Sequence, residues 1–509
     1  MKNYKIILFV ILGLLLTNCN LEEEPPFLAN ENIYATSEDA SKALTGIYES
    51  FTNTNYYGRD FLHAININSG FGVTRNGGNS NTSVENATLA SLKPNSGTIT
   101  IVNSWNGIYR SIGRSNDAIQ SAIISENPST EDETLINDVV GQAYFLRAFN
   151  YFNLVRLWGE VPLRLVPTTK ENIHLGKSSV KDVYAQVISD TKKAQELMNG
   201  SVGNGTVKPE AAAMLLAKVY MTLATAPTEH QEAGLNYWQL AYDEAKKVYG
   251  KYALVGDYDA LFQEATGDDT EESIFEIQSS ELATMDHARA FTATNYTPAF
   301  TFGRLQANYE VHDLHVATYP GDLRLESTFA SGYIQQSGGG IGKPLWTYPA
   351  TTARSRFSNG FPFVYKLGSK DQSRTDRFQN RNFIVYRYSD LLLMLAEISN
   401  ELQNGEQLGY VTEVLSRVGL NPHAGYSGDQ DSFRSAIMKE YQFELFFEGH
   451  DWFNNRRRGY DYFLNNVIIP HNTAPLFKSN VDVTLDTNEA NVMHWPIPQI
   501  EIDGNELIN

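Results

Sequence analysis

The sequence predicts a mainly α-helical protein, a row of helix pairs interrupted by one long loop-rich subdomain. Three observations carry that expectation. Apolar residues recur at helical spacing through two blocks, roughly 37–250 and 388–447. Small faces such as Ala211, Ala212, Ala213 and Ala217 let neighbouring helices approach closely, as in tetratricopeptide units. Between the blocks, residues 251–387 lose all period and carry Gly, Ser, Pro and scattered aromatics, too long a stretch for a simple connector.

The N-terminus reads as an export signal. Lys2 and Lys5 form a short positive region, and Ile6 to Leu16 is an apolar run of eleven residues, too short to span a bilayer. Cys19, the sole cysteine, follows at the cleavage point, so residues 1–18 are the expected signal and Cys19 the expected lipid-acceptor thiol. One acyl chain anchors marginally, whereas two or three, at about 0.8 kcal/mol per buried CH2, hold a protein on a membrane. Residues 19–36 contain Glu22-Glu23-Glu24-Pro25-Pro26, which predicts an extended acidic tether.

The fold then begins. Ser37 as a cap, with Glu38 and Asp39 in the first turn, starts a helix to Phe51 with Ala43, Leu44, Ile47 and Tyr48 on one face. Residues 53–100, rich in Asn, Gly, Ser and Thr, read as turns and loops. Ile101 to Ile124 returns to helix, with Trp105 assigned to the core. Glu133 to Trp158 is apolar nearly all round, so other helices should wrap it, and Gly159 with Pro162 should end it. Val180 to Met198, Pro209 to Thr225 and Tyr237 to Tyr249 complete the first region, 37–250. Inside 251–387, Ile274 to Gln278 reads as a strand. Helices resume at Tyr388 to Leu402, Gln407 to Val418 and Asp431 to Phe447, in a second region spanning 251–509, and Trp495-Pro496-Ile497-Pro498 is extended.

Charge and composition narrow the function. Without Lys2 and Lys5 the chain keeps 38 Lys and Arg against 59 Asp and Glu, a formal charge of −21, which argues against nucleic acid and against anionic membrane surfaces. With Cys19 committed to lipid, no intramolecular disulfide is available. Catalytic and metal motifs are missing. Gly338 to Lys343 lacks the first glycine and the Ser/Thr of a phosphate loop. His312 and His315 have helical spacing but no accompanying ligand cluster. Asp268, Asp269, Glu271 and Glu272 read as a solvated acidic turn. A glycosidase would need two carboxylates across a cleft, which sequence neither selects nor excludes; Glu444 and Glu448, on one helix face, read as partners of nearby arginines. No cofactor is implied.

Several stretches resemble the SusD/RagB family. Phe145-Leu146-Arg147-Ala148 leads into Tyr151-Phe152-Asn153-Leu154-Val155-Arg156-Leu157-Trp158-Gly159-Glu160-Val161-Pro162-Leu163, which the family writes as a helix ending in "FDLVRLYGDVPL". Ala213 to Tyr220, Arg387 to Glu397, Glu444 to His450 and Pro496 to Glu501 follow in family order. Asp451 stands where the family usually has Arg, Asn454 where it has Asp, and Tyr441 where Arg commonly follows Glu440, so an altered ion-pair network is expected around Arg456, Arg457 and Arg458. The resemblance implies four tetratricopeptide-like helix pairs and a loop-rich face that holds ligand above a SusC-like TonB-dependent transporter. It also implies a lipid-anchored, non-enzymatic protein on the outer membrane, and the acidic residues behind Cys19 resemble the surface-export signal of Bacteroidetes lipoproteins.

Binding by such a face needs rings to stack on apolar sugar C–H surfaces, and Asn, Asp and Arg to read hydroxyls. The first aperiodic region offers Tyr56, Tyr57, Arg59, Asp60, Arg75 and Asn76; the second offers Tyr296, Tyr319, Tyr333, Trp346 and Tyr348. Trp346, Tyr296, Tyr333, Arg75, Asp60 and Asn76 are the chosen candidates. The expected function is capture of oligosaccharides, in the micromolar to millimolar range at about 4 to 8 kcal/mol, and delivery to the transporter. The alternatives are peptide capture, as in the RagB branch, a surface glycoside hydrolase, or a ligand-free helical scaffold.

Overall fold

The computed structural model describes residues 37–73, 81–124, 130–280 except 204, 283–346 except 331, 348, 361–474 except 377 and 379, and 483–508. The signal segment, Cys19, the tether, Arg75 and Asn76 lie outside the described residues.

The chain is mainly α-helical. Ser37–Thr52, Ile99–Ile124, Thr130–Trp158, Val180–Leu197, Pro209–Thr225, Tyr237–Lys246, Tyr388–Leu402 and Gln407–Ser416 each pack on the next, giving a row of four pairs. Gln430–Leu445 packs on Tyr388–Leu402 beside them. The all-round apolar pattern of Thr130–Trp158 has its expected consequence: Phe145, Leu146, Phe149, Tyr151, Phe152 and Leu154 are all buried. Gly141 lets this helix meet the end of Val180–Leu197, since a Cβ there would lie 2.7 Å from the backbone nitrogen of Met198. Gly159 stops the helix with φ +72° while its N–H donates to Val155 O at 3.0 Å. Val180–Leu197 starts on Ser179, whose side chain accepts the Asp182 N–H at 3.1 Å. Trp105 is core, its ring 5.2 Å from that of Trp158.

Two expectations need correction. Residues 53–100 are not all loop: they hold helices Asp60–Ile67 and Asn81–Ala90. Every residue of Asp60–Ile67 is buried, so the helix has no polar face from which a period could be read. Residues 251–387 likewise contain helices His287–Phe291, Tyr309–Thr318 and Arg324–Thr328, and several short strands. These two insertions meet in one four-stranded antiparallel sheet. Gly72–Val73 pairs with Gln306–Ala307, which pairs with Phe363–Val364, which pairs with Phe329–Ala330. The expected strand, Ser273–Ile277, pairs instead with Phe383–Arg387, both wholly buried.

A buried ion network fastens this subdomain to Gln430–Leu445. Glu444 accepts from Arg387 at 2.6 Å, from Arg324 at 3.0 Å and from Arg417. Glu448 accepts from Arg387 at 2.7 Å and from Lys366 at 2.8 Å, and Glu440 from Arg324 at 2.7 Å. The partners of Glu444 and Glu448 therefore come from distant segments rather than from Arg456 to Arg458. Glu272 is no solvated turn residue: it is buried in the same network, bonded to Arg387 at 2.7 Å and Arg417 at 3.0 Å. In the arginine cluster where an altered network is expected, Arg457 and Arg458 share Glu397, at 2.7 and 3.2 Å. Arg456 donates to backbone carbonyls of Val492 (2.6 Å) and Asn68 (2.9 Å) and lies against the rings of Trp452 and Phe463. The Asp451 carboxylate accepts the Phe447 N–H at 3.0 Å, and burial pushes its pKa up to about 7.

Candidate ligand-binding face

The two insertions close on each other around Asp286. Its N–H donates to Gly58 O at 3.1 Å, and the Nε2 of the adjacent His287 bonds Tyr57 O at 2.7 Å. Burial lowers the His287 pKa to about 4, so the ring is neutral and that nitrogen is the donor. Arg59 bridges the insertions, with Nε donating to Asp60 Oδ1 at 2.7 Å and Nη1 to Asp286 Oδ2 at 3.1 Å. Asn103, from the Ile99–Ile124 helix, donates to Asp60 Oδ2 at 2.7 Å. Burial opposes the Arg59 charge, but the two carboxylates outweigh it and hold the guanidinium above its ordinary value.

The segment 300–304 lies along the end of His287–Phe291. Phe302 N–H donates to Arg289 O, Gly303 N–H to Thr292 O and Arg304 N–H to Ala290 O, each at 2.9 Å. This pairing gathers Arg289, Phe302 and Arg304, with the guanidinium carbons 4.6 and 5.5 Å from the Phe302 ring centre. Gly303 is required, since φ is +55° and a Cβ would lie 2.4 Å from the Phe363 ring. Phe300 also sits in the left-handed region, at φ +55°, with 59% of its surface exposed; Phe302 is 39% exposed. A bulky residue at such a φ costs on the order of 1–3 kcal/mol and persists only where its surroundings over-determine it. Here Asn295 N–H donates to Thr301 O at 3.1 Å, Tyr296 N–H to Thr301 Oγ1 at 3.0 Å and Thr294 Oγ1 to Phe302 O at 2.9 Å. The result is a protruding ring on a braced loop.

Three of the six residues chosen from sequence converge here, from beneath. Asp60 is 2% exposed and bound by Arg59 and Asn103. Tyr296 and Tyr333 are 5% and 8% exposed and pack edge-on at 5.1 Å. Tyr333 Oη donates to Thr294 O at 2.5 Å and Tyr296 Oη to Lys370 O at 3.0 Å, so both rings brace the loop rather than offer a stacking surface. Trp346 ends strand Pro344–Trp346, opposite Gly332 of Gly332–Ile334, and its side chain lies outside the described residues. Arg75 and Asn76 are also undescribed; Val73, just before them, pairs with Gln306, two residues beyond Arg304.

The other rings considered are structural. Tyr56 Oη donates to Asn150 at 2.7 Å, Tyr319 Oη to Glu440 at 3.2 Å and Tyr348 Oη to Asp313 at 2.6 Å. His315 bonds Asp322 at 2.8 Å and stacks on Phe443, while His312 stands edge-on to Phe329. Sequence reading passed over Phe300, Phe302, Arg289 and Arg304. The signal was present in Phe300-Thr301-Phe302-Gly303-Arg304, two aromatics in alternation before a glycine and a cation. Chemically, the face offers an exposed ring with guanidinium and carboxylate groups beside it. Asp60 and Asp286 both turn toward one guanidinium, and so do not oppose each other across a cleft as an acid–base pair would.

Comparison with known proteins agrees with this architecture. A family model described as "SusD family" matches residues 220–509, and one described as "Starch-binding associating with outer membrane" matches residues 21–221. A SusD-like protein P2 from Formosa agariphila is 27% identical, over 100% of this chain and 99% of the relative. Among solved structures, a SusD homologue from Bacteroides thetaiotaomicron superposes with a TM-score of 0.76 at 21% identity, covering 96% of this chain and 99% of the other. Surface glycan-binding protein A from Bacteroides uniformis superposes with a TM-score of 0.70 at 18% identity, covering 93% and 99%.

Proposed function

Because the chain belongs to the SusD family, we propose that it is a non-enzymatic surface lipoprotein, anchored to the outer membrane through Cys19, that captures oligosaccharides and passes them to a SusC-like TonB-dependent transporter. The observation that carries this reading is Phe300, an exposed ring held at an unfavourable φ two residues before Phe302, whose ring meets Arg289 and Arg304. An exposed ring stacks on the apolar face of a sugar, and neighbouring guanidiniums and carboxylates read its hydroxyls. The full-length similarity to SusD-like proteins, one superposed relative being named a surface glycan-binding protein, supports the same class. Capture without chemistry fits a face whose two carboxylates both pair with one arginine.

The test is affinity electrophoresis of the purified protein through gels carrying a panel of polysaccharides, with reducing-end release measured in parallel. Retardation by at least one polysaccharide, lost in Phe300→Ala and accompanied by no release, is expected. Release of reducing ends that a single Asp or Glu substitution abolishes would replace this reading with a hydrolase. Binding of peptide mixtures alone would replace it with peptide capture.

A further inference from the structure

Cations are scarce in this chain, with 40 Lys and Arg against 59 Asp and Glu, yet three guanidiniums, Arg59, Arg289 and Arg304, lie close enough to repel one another, two of them against Phe302. Among the described residues, only Arg59 of the three is ion-paired. Arg59 takes both local carboxylates, Asp60 and Asp286. Arg289 and Arg304 have no carboxylate within ion-pair distance among the described residues, and each contacts the Phe302 ring instead. From the geometry we infer that the captured sugar carries an acidic substituent, a carboxylate or a sulfate ester, seated on the N–H edges of Arg289 and Arg304. This rests on the glycan-binding reading above and names its ligand class.

Phe302 is what makes the pair usable. A guanidinium stacked on a ring is held in one plane at little entropic cost, and its donor edges remain free. Planar forks match carboxylate and sulfate oxygens in pairs, which no neutral hydroxyl can reproduce. The backbone pairing of 302–304 with 289–292 fixes the separation of the two cations, so they form one receptor rather than two mobile surface charges. Their crowding is unfavourable while the site is unliganded. Burial lowers the Arg304 pKa, and repulsion from Arg59 and Arg289 adds to that, against partial relief from Asp286 and Asp60. An arriving anion reverses the repulsion. It must also approach a strongly acidic protein, which a local concentration of positive charge makes feasible.

Matched ligand pairs test this on the full-length lipoprotein in detergent. A panel of polyuronates and sulfated polysaccharides is run in affinity gels, each beside its carboxyl-reduced or desulfated form. The acidic member of a pair should bind about tenfold more tightly or better, with a preference that weakens as salt rises. Preference confined to the uronates assigns a carboxylate, and preference confined to the sulfated series assigns a sulfate. Arg289→Gln/Arg304→Gln should abolish the preference, Arg289→Lys/Arg304→Lys should keep a salt-sensitive remainder, and Phe300→Ala should weaken acidic and neutral members alike. Equal affinity of the unaltered protein for acidic and neutral forms overturns the inference and leaves glycan capture standing. A preference that survives Arg289→Gln/Arg304→Gln in a folded protein also overturns it, and binding to no polysaccharide at all removes both readings.

Discussion

Glu444→Gln tests how the loop subdomain is held. In the native protein the Glu444 carboxylate faces Arg387 (2.6 Å), Arg324 (3.0 Å) and Arg417, all buried. Burial disfavours its charge, yet the three guanidiniums hold its pKa well below the ordinary carboxylate value. Glutamine keeps the shape but places an amide N–H2 among cations and removes the negative charge they share. Breaking a buried, hydrogen-bonded ion pair on one side costs about 3–5 kcal/mol. Unfolding entropy of about 2.1 cal/mol/K per residue, over the roughly 470 residues from Ser37 onward, gives about 1 kcal/mol per degree. The expected loss is therefore about 3–5 °C in Tm at pH 7, read by differential scanning calorimetry. The sign with pH follows from the depressed pKa: the contribution is present above the unfolded carboxylate value near pH 4.3 and is lost as pH falls through the lower folded value. The gap between the two proteins should accordingly narrow below about pH 4. Glu196→Gln, which disturbs only an exposed pair with Lys193, serves as the control and should not shift Tm measurably. A Glu444→Gln protein that melts with the control would refute the claim that this network fastens the subdomain.

Asp451→Asn should act in the opposite direction. The Asp451 pKa is raised by burial to about 7, against about 3.9 unfolded, so the folded state holds a proton that the unfolded state releases between those values, and stability falls as pH rises through that window. Asparagine can still accept the Phe447 N–H without the charge, and melting at pH 8 should rise by a few degrees, corresponding to at most about 4 kcal/mol, with no difference near pH 4. Tyr333→Phe removes the bond to Thr294 O and leaves that carbonyl without its buried donor, at about 1 kcal/mol. A small drop in Tm together with a several-fold weaker retardation in polysaccharide gels is expected; unchanged retardation would mean that the loop holds Phe300 without this brace.

Helices were legible wherever one face had to be apolar. Pro209–Thr225 and Tyr388–Leu402 run between the residues that the alanine-rich and leucine-rich patterns delimit, because local periodicity and tertiary packing agree there. Asp60–Ile67 was illegible because burial on every side erases the period. Glu272 was misread for a different reason: its partners Arg387 and Arg417 lie more than a hundred residues away, and nothing in an acidic run announces a distant cation. The exposure of the candidate rings was illegible in the same way. Residue type marked Tyr296 and Tyr333 as aromatic, but only the sheet shows that they point inward, whereas Phe300 is exposed through a φ that no composition reveals. Sequence thus located the two loop regions and missed which rings surface from them.

One insertion leaves between the first and second helices of the row and the other between the sixth and seventh, and neither can build the face alone. Arg59 and Asp286 are 227 positions apart, and their contact, together with the pairing of Gly72–Val73 to Gln306–Ala307, joins segments that only the completed row brings together. Asn103 reaches Asp60 from a frame helix, and Arg324 and Lys366 carry the sheet's far side to Glu440, Glu444 and Glu448. The exposed Phe300 and the half-buried Arg289 and Arg304 stand outside these joints. Substitution at those three positions alters what the face meets while leaving the clasp and the ion network intact, whereas substitution at Arg59, Asp60 or Glu444 disturbs the support. Affinity and stability should therefore separate cleanly between the two sets, and a variant at Phe300 that unfolds the protein would contradict that division.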